Sequence, residues 1–539
     1  MKIDCFPSPK SEFRAACFSI NARERQSAPP LRILRESEIS SSAESHSRAA
    51  ATAILGVSFD AVTTNEALNR IEQMIASRRP HYLATANVDF VVQSRRDLEL
   101  RKILSDADLV LCDGTPLVWA SRWLGNPLPE RVAGADVVPT LIQRSAEKGH
   151  RIFLLGATPE AAQMAVEKLT AKFPGLHVAS YAPPFKPLLE MDHAEIRRRI
   201  NAEKPDVLLV AFGCPKQEKW IARYYRELGV PVCIGVGATI DFLAGSIKRA
   251  PRWMQRSGTE WLFRLAQEPR RLFKRYAIDL GVFGFGLLRQ LWQFRFRGSS
   301  HRTDDACSVT LQTNGWQHIA LPKHFDREAV ERSEPLLKQA LAGSRNCLLE
   351  ARDVEFFDST GVACLMRLRR ELHASHRQLI LLSPSRAARE AISFMRLEEF
   401  FAIADDIDAA HRLSRALFKE QAHPVIATEP LIWQGEITVA NAPEVWRATQ
   451  TELLARRRDE FVIDLLRVRF LDTSGVEAMQ RAREFAAQLG VRLSFLNPNP
   501  AVWNVLHHAR METLLVNPKP FDPAVSAEPP LAFPQSQSI

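Results

Sequence analysis

At 539 residues the chain is longer than one hydrophobic core sustains, so three or four domains are expected. Apolar residues make up 46% and charged residues 25%, the ordinary balance of soluble globular protein. The formal net charge of +9 is mild for this length and gains meaning only where it is concentrated. The eight cysteines form no CxxC pair, and Cys112, Cys233 and Cys364 fall inside apolar runs as small buried hydrophobes. No disulfide framework and no structural zinc are therefore expected, as in a reducing cytosol.

Residues 1–49 mix Ser, Arg, Glu and Pro without a sustained apolar stretch, and read as a disordered leader without a signal peptide. From 50 to 245, strand-like runs (Ile152–Leu155, Val207–Ala211, Val230–Val236) alternate with helix-like stretches (Pro159–Phe173, His193–Glu203). That alternation predicts an α/β domain on a parallel, doubly wound sheet, with its ligand outside the carboxyl ends of the strands. Between 246 and 299 the composition shifts. Arg249, Arg252, Arg256, Arg264, Arg270, Arg271, Arg289 and Arg297 are interleaved with Trp253, Trp261, Phe273 and Trp292, up to a Gly298-Ser299-Ser300 linker. Leu280–Leu288 is too short to span a bilayer, and no run of 18 apolar residues exists.

Beyond the linker the chain repeats itself. Val354-Glu-Phe-Phe-Asp-Ser-Thr-Gly-Val362 recurs as Val468-Arg-Phe-Leu-Asp-Thr-Ser-Gly-Val476. Each copy follows a strand (Cys347–Glu350, Phe461–Leu465) and leads through a helix to another (Leu379–Leu382, Leu493–Phe495). Two small α/β modules are predicted, at 304–420 and 425–520, with a Pro- and Ser-rich disordered tail over 521–539.

The candidate chemistry gathers at loops that leave strands of the first domain. Thr85 and Asn87 are either helix caps or substrate contacts. Asp113, directly after the apolar run Leu109–Cys112 and before Gly114, is either a turn aspartate or a general base at the sheet's edge. Asp106-Ala-Asp108 matches an Asp-x-Asp metal pattern but lies at a helix-to-strand junction, and no metal is expected from it. Gly156, Gly213 and Gly237 lie in turns able to aim backbone N–H groups at a phosphate. Gly235-Val-Gly237 lacks the third glycine of a dinucleotide fingerprint, and GxxxxGK[ST] is absent.

These motifs together resemble the WecG/TagA/CpsF glycosyltransferases, family 26. The match runs through Thr85-Ala-Asn87, Asp113-Gly114, Pro129-Glu-Arg131-Val-Ala-Gly134-Ala-Asp136, Gly213-Cys-Pro-Lys-Gln217-Glu-Lys-Trp220 and Gly235-Val-Gly-Ala-Thr-Ile-Asp241. Arg249-Ala-Pro-Arg252-Trp253, Glu260-Trp-Leu-Phe-Arg264 and Glu268-Pro-Arg270-Arg271 extend it. The resemblance implies a Rossmann-like catalytic domain. It also implies inverting, metal-independent transfer of a sugar from a UDP-sugar to an undecaprenyl-diphosphate-linked acceptor, with no cofactor, in exopolysaccharide or surface-glycan synthesis. N-acetylmannosamine, its uronic acid and glucose all stay open as donor sugars. Carried over, Asp113 would be the base, Thr85 and Asn87 would position the donor sugar, and Arg131 and Gln217 would line the pocket. Asp241 would help hold the uracil, while Arg264 and Arg271 would offset charge on the leaving diphosphate. Thr115-Pro116 departs from the family, where many members carry a small residue and a glycine, and puts donor choice in question.

The basic, aromatic arm over 249–297 is either a solvated face or a membrane-adsorbing one. No nucleic-acid motif accompanies it, and the family resemblance favours the membrane. The expected location is the cytoplasm, peripheral to the inner membrane. The repeats resemble STAS domains, which implies docking or regulation and, in the bacterial regulators, phosphorylation by a partner kinase at positions matching Thr360 and Ser474. Plain N-capping accounts for the same residues. A catalytically silent scaffold working through its repeats is the competing reading, and homo-oligomerisation stays open.

Overall fold

The structure is a computed structural model that describes residues 51–515 except 248, 268, 298–305, 314–315, 376, 423–424, 427–429 and 456–459. The expected leader, the Gly-Ser-Ser linker and the tail lie outside the described residues.

The described residues open with a hairpin of β1 (Ala51–Ile54) and β2 (Val57–Asp60). Six parallel strands follow: β3 (His81–Ala86), β4 (Leu109–Cys112), β5 (Ile152–Gly156), β6 (Val178–Tyr181), β7 (Val207–Ala211) and β8 (Val232–Gly235). They lie in the order β4-β3-β8-β7-β5-β6. A parallel sheet needs a crossover between neighbours, and both its faces must be covered. Helix α1 (Thr64–Ser77) leads from the hairpin into β3; the crossovers are α2 (Val88–Ser94), α3 (Leu98–Asp106), α4 (Thr115–Trp123), α5 (Gly134–Lys148), α6 (Pro159–Lys172), α7 (His193–Glu203) and α8 (Lys216–Leu228), with α9 (Thr239–Ala244) after β8.

Strand alternation divides the core in two. Leu109 and Leu111 of β4 join Leu154, Leu209 and Ile234 under Leu68, Leu141 and Ile240 of α1, α5 and α9. Val110 and Cys112 point the other way, joining Phe153 and Val210 against Phe90 of α2, Leu100 of α3 and Trp220 of α8. Both faces are dry, which is why these strands read as continuous apolar runs. Cys112, Cys233 and Cys364 are buried in these and later cores.

The basic segment folds as α10 (Arg252–Ser257), α11 (Glu260–Gln267) and one long helix, α12 (Pro269–Arg297). The sequence reading treated this arm as an appendage, whereas one face of α12 belongs to the transferase core. Phe283 and Leu287 join that core, and Gln290, fully buried, accepts from Leu55 N (3.0 Å) and donates to Ala53 O (3.0 Å). No helix among the described residues is long and apolar enough to cross a membrane.

The first repeat module holds β9 (Ser308–Thr313), β10 (Trp316–Ala320), β11 (His324–Phe325), β12 (Asn346–Glu350), β13 (Phe356–Phe357), β14 (Leu379–Leu382) and β15 (Ala402–Ala404). Its main sheet runs β15-β14-β12-β10-β9, and only the β9–β10 pair is antiparallel. Its helices are α13 (Arg327–Ala342), α14 (Ser359–Ala374), α15 (Arg386–Phe394) and α16 (Ile407–Ala422). The second module has β16 (Val425–Ile426), β17 (Leu431–Ile437), β18 (Glu460–Leu471) and β19 (Arg492–Leu496), with α17 (Ala442–Ala455), α18 (Thr473–Gln488) and α19 (Pro500–His508). The repeat is a structural one. Asp358 caps α14 by accepting from Thr360 N and Gly361 N (both 2.8 Å), and Asp472 caps α18 by accepting from Ser474 N (2.7 Å) and Gly475 N (3.0 Å). The copies differ where β18 runs unbroken to Leu471, while its counterpart is split into β12 and β13.

The modules pack on the transferase domain. Ala53 of β1 sits in the core of the first module, and Phe394 of that module packs on the transferase core. Arg101 of α3, wholly buried, donates to Met395 O (2.6 Å) and Arg396 O (2.9 Å).

Candidate active site

The carboxyl ends of β3, β4, β7 and β8 converge, and their loops carry most of the residues singled out from the sequence. Strand β4 is apolar and buried throughout, so the first polar residue after it, Asp113, emerges at the sheet's edge. Its N–H donates to Ala86 O of β3 at 2.9 Å, which sets the Asp113 and Asn87 loops side by side. A Cβ added at Gly114 would lie 3.9 Å from Asn87.

Asp113 is half-buried at the rim, and burial pushes its carboxyl above the ordinary aspartate range. Arg131 and Arg264 pull it back, while Glu260 and Asp136 push it further up. These four belong to one ion-pair cluster. Arg131 meets Asp136 at 2.7 Å and Glu260 at 3.1 Å; Arg249 meets Asp136 at 2.7 Å and Glu260 at 3.5 Å; Arg264 lies 3.7 Å from Glu260. Glu260 comes from α11 of the arm, so the arm is pinned over the site by charge. Gly258 lies against Thr115, where an added Cβ would come within 2.5 Å of its methyl group. Thr115 thus lies where the arm meets the Asp113 loop.

Asn87 is the N-cap of α2, accepting from Phe90 N at 3.3 Å. Thr85 is no cap. It is buried, donates to Gly235 O at 2.9 Å across to β8, and lies under Gly134, where a Cβ would stand 3.4 Å from its side chain. Gln217 departs most from expectation. It was read as lining the pocket, yet only 2% of it is exposed, and it works beneath the loops. Its Oε1 accepts from Gly213 N (3.1 Å) and Gly237 N (3.2 Å), and its Nε2 donates to Glu218 Oε1 (2.7 Å). One amide therefore ties two glycine loops together. Both glycines have positive φ, +81° and +50°, a conformation that disfavours a side chain. Gly156 (φ +102°) lets β5 approach β7, because a Cβ would fall 2.7 Å from Ala211 O.

Asp241 stands half-exposed in the first turn of α9, its carboxyl raised by burial. Arg264 stacks over the neighbouring Phe242, 5.2 Å from the ring centre. The backbone of Arg271 lies in α12; its side chain lies outside the described residues. Asp106 pairs with Arg369 (3.0 Å) and Asp108 with His81 (3.1 Å).

Sequence reasoning missed roles for Glu260, Asp136 and Glu218, although all three stood inside quoted motifs. Glu218 is a buried carboxyl raised to about 8 by burial, with Oε2 lacking a hydrogen-bond partner. A glutamate directly after a glutamine at a helix start carries no sign of that environment. Thr360 and Ser474 are also buried, and neither hydroxyl has a partner.

An aspartate at a strand end, glycine turns beside it and arginines delivered by an adjoining arm form a constellation suited to group transfer at the carboxyl edge of an α/β sheet. Residues 52–297 match the glycosyl transferase WecG/TagA/CpsF family, residues 312–410 the STAS domain, and residues 431–517 the Mlab, STAS domain. An N-acetylglucosaminyldiphosphoundecaprenol N-acetyl-beta-D-mannosaminyltransferase of Bacillus spizizenii is 32% identical over 190 residues, covering 35% of this chain and 72% of that relative. The protein of the same description from Staphylococcus aureus strain MW2 is 28% identical over 242 residues, 44% of this chain and 94% of that relative. The anti-sigma factor antagonist SpoIIAA in its unphosphorylated form is 26% identical, with 20% of this chain and 96% of that one covered at a TM-score of 0.19. The chain belongs to the WecG/TagA/CpsF family of glycosyltransferases, extended by two STAS domains.

Proposed function

We propose that the chain transfers a sugar, of the N-acetylmannosamine type or glucose, from a UDP-sugar to a hydroxyl of an undecaprenyl-diphosphate-linked acceptor, with inversion and without a divalent cation, in the synthesis of an exopolysaccharide or surface glycan. The acceptor class is that named for the Bacillus and Staphylococcus relatives. The observation that carries the reading is the state of Asp113: a carboxylate made more basic by burial, at the sheet's edge, beside Arg131 and Arg264. A base of that kind takes the proton of the attacking hydroxyl as the new glycosidic bond forms and the bond to UDP breaks. Arg264, with Arg271 from the next helix, offsets charge on the departing diphosphate. Asn87 and Thr85 shape the donor-sugar side, Asp241 the uracil side, and the Gly156, Gly213 and Gly237 turns the phosphate side.

The arm supports work at a membrane surface. Trp253, Phe273, Leu280, Phe285, Leu288 and Trp292 are exposed. An open groove of about 630 Å³ between α11 and α12, lined by Leu262, Leu265, Ala266, Phe273, Arg270 and Lys274, joins apolar walls to cations, which suits a prenyl diphosphate. The STAS domains serve docking or regulation. A kinase acting on Thr360 or Ser474 would first need these buried turns released.

Incubating the full chain with a panel of UDP-sugars and a prenyl-diphosphate-linked N-acetylglucosamine acceptor tests the proposal. Acceptor-dependent release of UDP is expected, unaffected by EDTA. Asp113→Asn should lower turnover by about 10²–10⁴-fold with UDP binding retained. Transfer from no donor, or full turnover by Asp113→Asn, would sink the reading.

A further inference from the structure

Glu99 stands where three parts of the chain meet. Its carboxylate accepts from the backbone N–H of Thr473 at 2.8 Å and from the Thr473 hydroxyl at 2.5 and 2.7 Å, at the first residue of α18 in the second STAS domain. The same carboxylate meets Lys219 Nζ at 2.9 Å, and Asp97, the cap of α3, meets that ammonium at 2.8 Å. Lys219 lies in the opening turns of α8, two residues after Gln217, whose amide ties the Gly213 and Gly237 loops. Glu99, Asp97 and Lys219 are all shielded from solvent, with side-chain exposures of 6%, 8% and 13%. Burial opposes the charge of Lys219, yet the two carboxylates hold its pKa above the ordinary lysine value. A second bridge lies one turn along, between Arg223 of α8 and Glu477 of α18.

Charge-assisted bonds in a dry setting are geometrically demanding, and loss of one member leaves the others buried without compensation. A helix turn is stiff, so a restraint on Lys219 is a restraint on Gln217. The path from Thr473 through Glu99, Lys219 and Gln217 therefore joins the STAS domain to the two glycine turns by three polar contacts and half a helical turn.

We propose that the second STAS domain acts in cis as an effector of the donor site, with Glu99 as a positioning residue: when Thr473 is docked on Glu99, the start of α8 is fixed and Gln217 holds the Gly213 and Gly237 turns ready for the nucleotide end of the donor. This rests on the transferase reading for the identity of the ligand alone. The partner recognised by the hydroxyl turn of this domain is the transferase domain of its own chain, through α3 and α8. Any other protein binding that turn, or a phosphate placed on it, competes with docking and loosens the donor loops.

The full chain tests this with three variants: Glu99→Gln, Thr473→Val, which removes one hydroxyl and keeps the backbone, and Arg396→Ala. The last removes a separate bridge, from Arg396 of the first STAS domain to Arg95 O, and serves as the control. Calorimetric titration with UDP and amide hydrogen exchange are the readouts. Glu99→Gln and Thr473→Val should each weaken UDP binding about tenfold and speed exchange of the Gly213 and Gly237 amides, with Arg396→Ala like wild type in both. If Thr473→Val frees the amides of Thr473 and Ser474 while UDP affinity and exchange at Gly213 and Gly237 stay at wild-type levels, the relay is overturned. If Glu99→Gln fails to fold, Thr473→Val decides. If UDP does not bind wild type at all, the transferase reading fails, and exchange at the two glycines still judges the relay.

Discussion

Asp113 takes its basicity from a balance that single substitutions can tilt. Its raised pKa comes first from burial, then from opposing charges, with Glu260 and Asp136 acting upward and Arg131 and Arg264 downward. Only the ionised form accepts a proton, so kcat/KM should rise with pH through that raised value. Glu260→Gln removes a negative neighbour, which lowers the pKa, so the acidic limb of the pH profile should move to lower pH. Arg264→Gln removes a cation and should move it to higher pH. Rate profiles across pH 4 to 8 check both signs, and a shared direction would refute the assignment. Glu218 offers a stability test of the same kind. Its folded pKa of about 8 lies above the ordinary 4.5, so the neutral form is favoured in the fold; the stability this contributes is fully present below about 4.5 and is lost progressively as pH rises to about 8. Glu218→Gln keeps the acceptor for Gln217 and has nothing to ionise. Wild type should therefore lose melting temperature from about pH 5 to about pH 8 and level off above it, and the variant should lose distinctly less.

At the scale of the element, α12 shows how one helix serves two surroundings. Leu272, Phe283 and Leu287 are buried, while Phe273, Leu280, Phe285, Leu288 and Trp292 are exposed. Replacing Leu280, Phe285, Leu288 and Trp292 together by Ser removes apolar area from the outer face alone, and should abolish co-sedimentation with anionic vesicles with little change in melting temperature. Unchanged sedimentation would refute membrane adsorption by this face. Gln290→Ala should act the other way, destabilising by about 1–3 kcal/mol because it leaves the buried Leu55 N–H unpaired, with vesicle binding intact. The basic and aromatic content of this arm was legible in the sequence, as were the parallel sheet and the repeat, because each depends on local periodicity. The inward half of α12 was not, since Phe283 and Leu287 differ from Phe285 and Leu288 only in the direction they face. The position of Asp113 at the sheet's edge was legible, because it lies where an apolar strand must end. Gln217 was misplaced, because residues at a strand-to-helix turn can aim into a cleft or under it, and only packing against Gly235, where a Cβ would fall 2.8 Å from its amide nitrogen, decides which.

Across the whole molecule, the hairpin β1–β2 joins the transferase to the first STAS domain. Ala53 lies in the STAS core, while Leu55, Val57 and Phe59 lie in the transferase core. At its tip, Gly56 has φ +88°, and a Cβ there would fall 2.4 Å from Met395 O, the carbonyl that also accepts from Arg101. Beside β1, Asn126, whose backbone carbonyl accepts from Thr52 Oγ1 (3.0 Å), donates to Ser359 Oγ (2.5 Å) and Asp358 Oδ2 (3.3 Å) at the cap of α14 and accepts from Arg327 Nε (2.9 Å). Unfolding of the STAS domain alone would strip Arg101 of the Met395 and Arg396 carbonyls, and unfolding of either domain would expose apolar surface on the survivor, so the two should unfold together. Calorimetry of the wild type should show the transferase and the first STAS domain melting in one endotherm. Gly56→Val combines a disfavoured φ for a β-branched residue with a backbone clash that no side-chain rotamer relieves, and the lowest-energy escape is separation of the tip from Met395. The variant should therefore split that endotherm, with the STAS domain melting first once Arg101 no longer reaches it. A single transition that merely moves down in temperature would mean that strain is absorbed inside the hairpin, and that the domains are coupled elsewhere, at the Asn126 contact.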